Sequence, residues 1–284
     1  MSPREQLVAF LTILRKEIRR YMRIWTQTLL PSAITMSLYF VIFGSLIGSR
    51  IGEMGGFTYM QFVVPGLIMM AIVTNSYSNV VSSFFGSKFN HSVEELLVSP
   101  TPNYVILMGY VIGGVSRGLL VAIIVTTVSL FFTRLEIYSF SIVVLVVLMT
   151  SMLCALAGFI NAVYANSFDD ISIVPTFVLT PLIYLGGVFY SMDLLPDFWA
   201  AVSRLNPLVY VVNAFRYGVL GVSDVSLPFA FGMIALFTTI AFAYSMHLLN
   251  SGKFRSEEDA SVAARYLFHS AKDNVFSYLK ASAH

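Results

Sequence analysis

Side chains able to do acid, base, nucleophilic or metal chemistry are few in this sequence and poorly spaced for it. The four histidines, His91, His247, His269 and His284, are scattered, so no metal site is expected. The single cysteine, Cys154, lies in an apolar stretch, which excludes an internal disulfide framework and a cysteine metal cluster. Neither a Ser-His-Asp arrangement nor a pair of spaced carboxylates is visible, so no catalytic residue is assigned. A G-x-x-x-x-G-K-S/T phosphate cradle is missing too, so the chain is not expected to bind and hydrolyse ATP itself, and it needs no cofactor of its own. What remains is polar chemistry inside apolar surroundings. Asn75, Ser78, Asn79, Ser82 and Ser83 recur at three- and four-residue spacings and share one helical face. Two asparagines in hydrocarbon need partners, either in a neighbouring helix or in a wet cavity. Arg117 is the one charge inside an apolar run, where it either snorkels or pairs with a loop carboxylate such as Asp169 or Asp170.

The elements that carry these residues are membrane helices. Of 284 residues, 57% are hydrophobic and 11% charged, against about 25% charged in soluble domains, and mean hydropathy is +0.79. Seventeen Lys+Arg against fifteen Asp+Glu leave no basic field for nucleic acid. A crossing helix needs roughly 20 apolar residues, and charge-free windows place spans near 28–48, 58–82, 103–132, 139–164, 171–191 and 227–249. Continuous runs such as SIVVLVVLMTSMLCALAGFI do not alternate, which excludes a β-barrel. The expectation is an all-α, multi-pass integral membrane protein with six transmembrane helices over residues 1–252, followed by a cytoplasmic, helical tail over 253–284. Arg15, Lys16, Arg19, Arg20 and Arg23 precede the first span and Lys253, Arg255 and Arg265 follow the last, so both termini are expected in the cytoplasm. The stretch 205–223 is too short for a seventh crossing and reads as an external or re-entrant pair buried against protein. Gly109, Gly113, Gly114 and Gly118 form two small-xxx-small pairs expected to mark close helix packing.

At the N-terminus, Ser2 and Glu5 have capping-box spacing, with Pro3 at the first helical position. Leu7, Leu11, Leu14, Ile18, Met22 and Trp25 then recur every three or four residues while the cations fall on other faces, which reads as an amphipathic helix over 3–24 along the cytoplasmic bilayer surface. Between spans two and three lies FFGSKFNHSVEELLVSPTPNY, a short helix with Ser92 and Glu95 at capping spacing and Pro100 and Pro102 beyond it.

The EELLVSP segment, the basic amphipathic N-terminus, TFVLTPLIYLGGVFY followed by LLPDFW, and LNPLVYVVNAFRYG together resemble an ABC-2 type transporter permease over about residues 15–250. That resemblance implies a half-transporter in a bacterial inner (cytoplasmic) membrane, which forms a homodimer and pairs with two copies of a separate ABC ATPase subunit to export an amphiphilic, lipid- or glycan-like substrate. It implies a coupling helix at EELLVSP, with Lys88, Glu94 and Glu95 as ATPase contacts, joined by Glu17 and Arg20 of the N-terminal helix. Spans two and five would line the dimer cleft, adding Thr176, Thr180 and Tyr184 to Asn75, Ser78 and Asn79 on the substrate path. Short external helices would cap the exit side, with Arg216 and Tyr217 as gate. An ATP-independent secondary carrier or channel is the alternative; carboxylates at span ends rather than at mid-span count against it.

Overall fold

The computed structural model describes residues 1–54 and 56–251; the tail expected at 253–284 lies outside the described residues. Helix α1 (Pro3–Arg23) begins with the expected capping box, in which Ser2 Oγ accepts from the Glu5 amide at 3.4 Å and Glu5 Oε2 accepts from the Ser2 amide at 2.8 Å. A short α2 (Trp25–Thr28) leads into α3 (Leu30–Val41), a π-helical turn at Ile42–Ile47 and α4 (Gly48–Ile51). A two-residue ribbon, β1 (Glu53–Met54) against β2 (Phe57–Thr58), turns the chain into α5 (Tyr59–Phe89). Thr58 and Gln61 form a second capping box at its start. Then follow α6 (Ser92–Val98), α7 (Asn103–Ser129), α8 (Phe140–Tyr164), α9 (Asp170–Val174), a π-helical turn at Pro175–Leu179 and α10 (Thr180–Tyr184). The segment expected on the outer side holds α11 (Asp197–Arg204) and α12 (Pro207–Leu220), and α13 (Leu227–Ser251) is last.

Among the described residues, five helices have the length and apolarity to cross a bilayer: Trp25–Gly44, Tyr59–Phe89, Asn103–Ser129, Phe140–Tyr164 and Leu227–Ser251. The remaining expected span, 171–191, is shorter. Its apolar helix runs over Asp170–Tyr184, and Gly187 at φ 74° then turns the chain. Two prolines explain its irregularity, since neither Pro175 nor Pro181 can donate to the helical ladder; Thr180 Oγ1 instead donates to the Pro175 carbonyl at 2.9 Å.

Helix α5 is the core, buried over most of its length, with α7 and α8 as its principal neighbours and α3 and α12 completing the shell. Small residues set these approaches. On α7, a Cβ at Gly109 or Gly113 would meet Ile13 or Glu17 of α1 at 2.6 and 2.7 Å, while one at Gly118 would meet Ser76 of α5 and Ser151 of α8 at 2.2 and 2.5 Å. The two small-xxx-small pairs therefore serve two different partners, α1 on one side and the α5–α8 pair on the other.

Helix α1 runs alongside the first half of α7. Gln6 meets Tyr104, Ile13 meets Gly109, Glu17 meets Gly113 and Tyr21 meets Ser116, in ascending order. Its buried face is Ile13, Glu17 and Tyr21, whereas Leu7, Leu11, Met22 and Trp25 of the expected apolar stripe are exposed. The stripe is thus left exposed, and a third, close-packed face holds the helix to protein.

The outer segment is also more deeply seated than its composition suggests. Asn206 caps α12 by accepting from the Leu208 amide at 2.9 Å and donates to the Leu182 carbonyl at 2.6 Å. Most of α12 is buried, against α5, α8 and α13. At 14 residues it is too short to cross, as expected for 205–223.

Candidate functional site

Three polar constellations stand out in an otherwise apolar molecule. The first joins α1, α5 and α7. Arg117, midway along α7, donates through one terminal nitrogen to Asn75 Oδ1 at 2.8 Å and to the Thr28 carbonyl at 3.0 Å. Asn75 in turn donates to Ser32 Oγ at 2.9 Å. Asp169 and Asp170, the expected carboxylate partners, are elsewhere: Asp170 Oδ2 accepts from the amides of Asn166 and Ser167, closing the turn before α9. Arg117 is therefore balanced by oxygen dipoles rather than by an anion.

One turn further along α5, Arg20 donates to the Asn79 carbonyl and to Asn79 Oδ1, both at 2.9 Å, and to Glu17 Oε2 at 3.3 Å. The fully buried Glu17 accepts from Ser83 Oγ at 2.5 Å. Next comes Lys16, 3.4 Å from Ser87 Oγ and 5.8 Å from the centre of the Tyr110 ring. Of the residues expected on the substrate path, Asn75 and Asn79 are thus engaged in holding α1 and α7 to α5. Ser78 is partly exposed and, with Thr74 and Ser82, forms the one stripe of α5 that faces outward. Glu17 and Arg20 both belong to this network, and α7 offers glycine opposite Ile13 and Glu17, where α1 crosses closest. The network's further members, Thr28, Ser32, Ser87 and Tyr110, carried no signal in the sequence beyond ordinary polarity.

The second constellation lies at the C-terminal end of α5, next to Ser87. Lys88 Nζ donates to the Val163 and Ala165 carbonyls at 2.9 and 2.8 Å, so its charge sits against the C-terminal end of α8, where it complements the helix dipole. Helix α6, which carries Glu94 and an exposed Glu95, follows directly. Its cap differs from the expected one. His91 stands at the N-cap in the left-handed region, with φ 57°, and Ser92 Oγ donates back to the Ser87 carbonyl at 3.1 Å. The tight reversal after Phe89 leaves Ser92 inside the helix and its hydroxyl within reach of α5. Thr176 and Tyr184 are exposed, and Thr180 is half-buried on its π-turn.

The third constellation is at the outer end. Arg216 is fully buried: it donates to the Gly187 carbonyl at 2.6 Å, lies 3.9 Å over the Phe62 ring centre, and comes within 3.9 Å of Asp224. Asp224 also accepts from Ser191 Oγ at 2.9 Å and from the Met192 amide at 2.8 Å. Arg216 therefore fastens α12 to α5 and to the turn after α10. Tyr217 points elsewhere, edge-on to Tyr138 at 5.6 Å between ring centres. The two residues expected to act together at the exit diverge because adjacent positions on a helix face different neighbours.

Among the described residues there is no group of three or more His, Cys, Asp or Glu that could hold a metal ion. The arrangement is one of helices clamped by buried cations. The profile of the ABC-2 type transporter family matches residues 8–220. The inner membrane transport permease YadH of Escherichia coli (strain K12) is 57% identical over 246 residues, covering 87% of this chain and 96% of that protein. Nodulation protein J of Neorhizobium galegae is 23% identical over 250 residues, covering 86% and 93%. With its family profile spanning most of the membrane helices, this chain belongs to the ABC-2 type transporter family and is a membrane permease of an ABC transporter.

Proposed function

We propose that this chain is one half of a dimeric exporter that crosses the bacterial inner membrane six times, with both termini in the cytoplasm, and is driven by two copies of a separate ATPase subunit. In this reading the chain has no catalytic site and no cofactor of its own. The Asp170–Tyr184 helix, with its Gly-Gly turn and the outer hairpin behind it, serves as the remaining crossing. The name of the Escherichia coli relative supports an inner-membrane location.

The observation that carries the proposal is the attachment of α6. This short acidic helix follows α5 after a two-residue reversal, is tied back by Ser92 to Ser87, and stands beside the Lys88 clamp on α8. A push on α6 is thereby delivered to two core helices at once, which is what a coupling element must do. Glu94 and Glu95 are the proposed ATPase contacts, and Lys88 acts behind them as a positioning residue. For the transported molecule, the outward stripe of Thr74, Ser78 and Ser82 on α5, together with exposed Thr176 and Tyr184, is proposed as the dimer-facing path. A wall of hydroxyls and rings without free charge suits an amphiphile better than an ion.

Co-purification with a candidate ABC ATPase subunit tests the proposal. A two-plus-two complex whose ATP hydrolysis changes on adding the permease is expected, and Glu94→Arg/Glu95→Arg should abolish complex formation. An ATPase that binds the charge-reversed permease as well as the original removes α6 from the coupling role.

A further inference from the structure

The basic face of α1 encloses a groove that the clamp network does not use. Lys16, Arg19, Arg20 and Arg23 stand at i, i+3, i+4 and i+7, and with Met22 they line a concave space of about 830 Å³. Their neighbouring carboxylate is Glu17, already engaged by Ser83 and Arg20. Four cations thus face one buried anion. Arg20 forms the floor: two of its nitrogens reach Ser82, Asn79 and Glu17, and its Nε is buried with no partner. Lys16 leans on Tyr110 and Ser87. Arg19 and Arg23 are exposed, and neither guanidinium has a protein partner among the described residues. Concentrating unpaired cations this way is unfavourable unless an anion joins them, and the planar fork of arginine matches a phosphate bidentately.

Position narrows the class of anion. Met22 links the groove to the exposed apolar side chains of Leu7 and Leu11 on the adjoining face of the same helix and to exposed Trp25 at the start of α2. A ligand that sets a charged head among the arginines can therefore lay its chains along that stripe without leaving the surface of α1. We infer that the groove formed by Lys16, Arg19, Arg20 and Arg23 is a binding site for the phosphate headgroup of an anionic amphiphile held in the bilayer leaflet next to α1. This rests on the proposed placement of α1 at the cytoplasmic membrane surface, but its test requires neither the ATPase nor transport.

The two tryptophans of the chain are Trp25 and Trp199. A Trp199→Phe background leaves Trp25, which follows the groove, as the fluorescent reporter. The full chain is placed in nanodiscs containing brominated phosphatidylglycerol or brominated phosphatidylcholine at equal fractions. Stronger quenching by the anionic lipid is expected, and the exposed pair Arg19→Gln/Arg23→Gln should weaken the preference about fivefold for each cation removed. Both substitutions leave the Arg20 and Lys16 bonds intact, so folding is preserved. Arg4→Gln/Arg15→Gln removes the same charge outside the groove and should leave the preference unchanged. Inorganic pyrophosphate at matched ionic strength separates the sources: release of quenching supports a site that holds the headgroup alone, and retained quenching supports one that also holds the chains of a bilayer lipid. Equal quenching by the two lipids, or an equal loss in the control pair, overturns the inference.

Discussion

Two buried arginines, Arg117 among α2, α5 and α7 and Arg216 on α12, solve the same problem in different ways. Arg216 has a carboxylate within 3.9 Å, a backbone carbonyl and an aromatic face. Arg117 has one amide oxygen and one backbone carbonyl, and no anion contacts it among the described residues. The outer site is a charge pair embedded in loops; the inner one is a cation held by helix-borne dipoles. Removing one member of a buried pair strands the other, whereas replacing a lone buried ion with an apolar side chain strands only neutral groups. Similar burial therefore does not mean similar fragility, and the decisive quantity is what is left behind.

That contrast orders the expected effects. The largest belongs to Asp224→Ala, which leaves Arg216 charged and buried and also takes an acceptor from Ser191 and Met192. A loss of about 3–5 kcal/mol is expected, seen as a markedly lowered midpoint in thermal unfolding of the detergent-solubilised chain. Next comes Arg117→Met, which keeps the volume and frees only the Asn75 amide oxygen and the Thr28 carbonyl. About 1 kcal/mol is expected, in line with interhelical hydrogen bonds in membranes. A cost equal to that of Asp224→Ala in the same assay would break the comparison. The smallest is Lys88→Met. Losing its hydrogen bonds to the end of α8 should cost about 0.5–1 kcal/mol, yet transport per ATP hydrolysed should fall severalfold if the clamp relays motion. The control Lys88→Arg, which keeps the charge and reach, should restore most of that ratio. A stability loss without any change in the ratio would confine Lys88 to a structural role.

Much of the fold was legible because bilayer thickness turns composition into helix length. Trp25–Gly44, Phe140–Tyr164 and Leu227–Ser251 fall within a few residues of the windows expected from charge-free runs. The α1 capping box and the packing role of the α7 glycines were legible for similarly local reasons. The 171–191 window failed at its far end, because hydropathy counts Leu185 and Val188 as span while the backbone, at Gly186-Gly187, has already turned. Ser92 looked like a cap by spacing alone, but the left-handed geometry of His91 takes that position. Site residues were legible as types and not as roles. Asn75, Asn79, Arg20, Lys88 and Arg216 all stood out, and each makes a specific bond, but its partner in each case lies on another element.

From the sequence alone came the class of molecule, most of the candidate spans and the amphipathic N-terminal helix, since these depend on runs of neighbouring residues and on lengths set by the bilayer. Only the tertiary structure decided that Glu17 is an interior acid, that Lys88 is fastened to α8, and that Arg216 rather than Tyr217 locks the outer hairpin. Those outcomes depend on which helix faces meet, and a face is paired by packing across dozens of residues of separation, where small side chains such as Gly113 permit an approach that no local pattern announces.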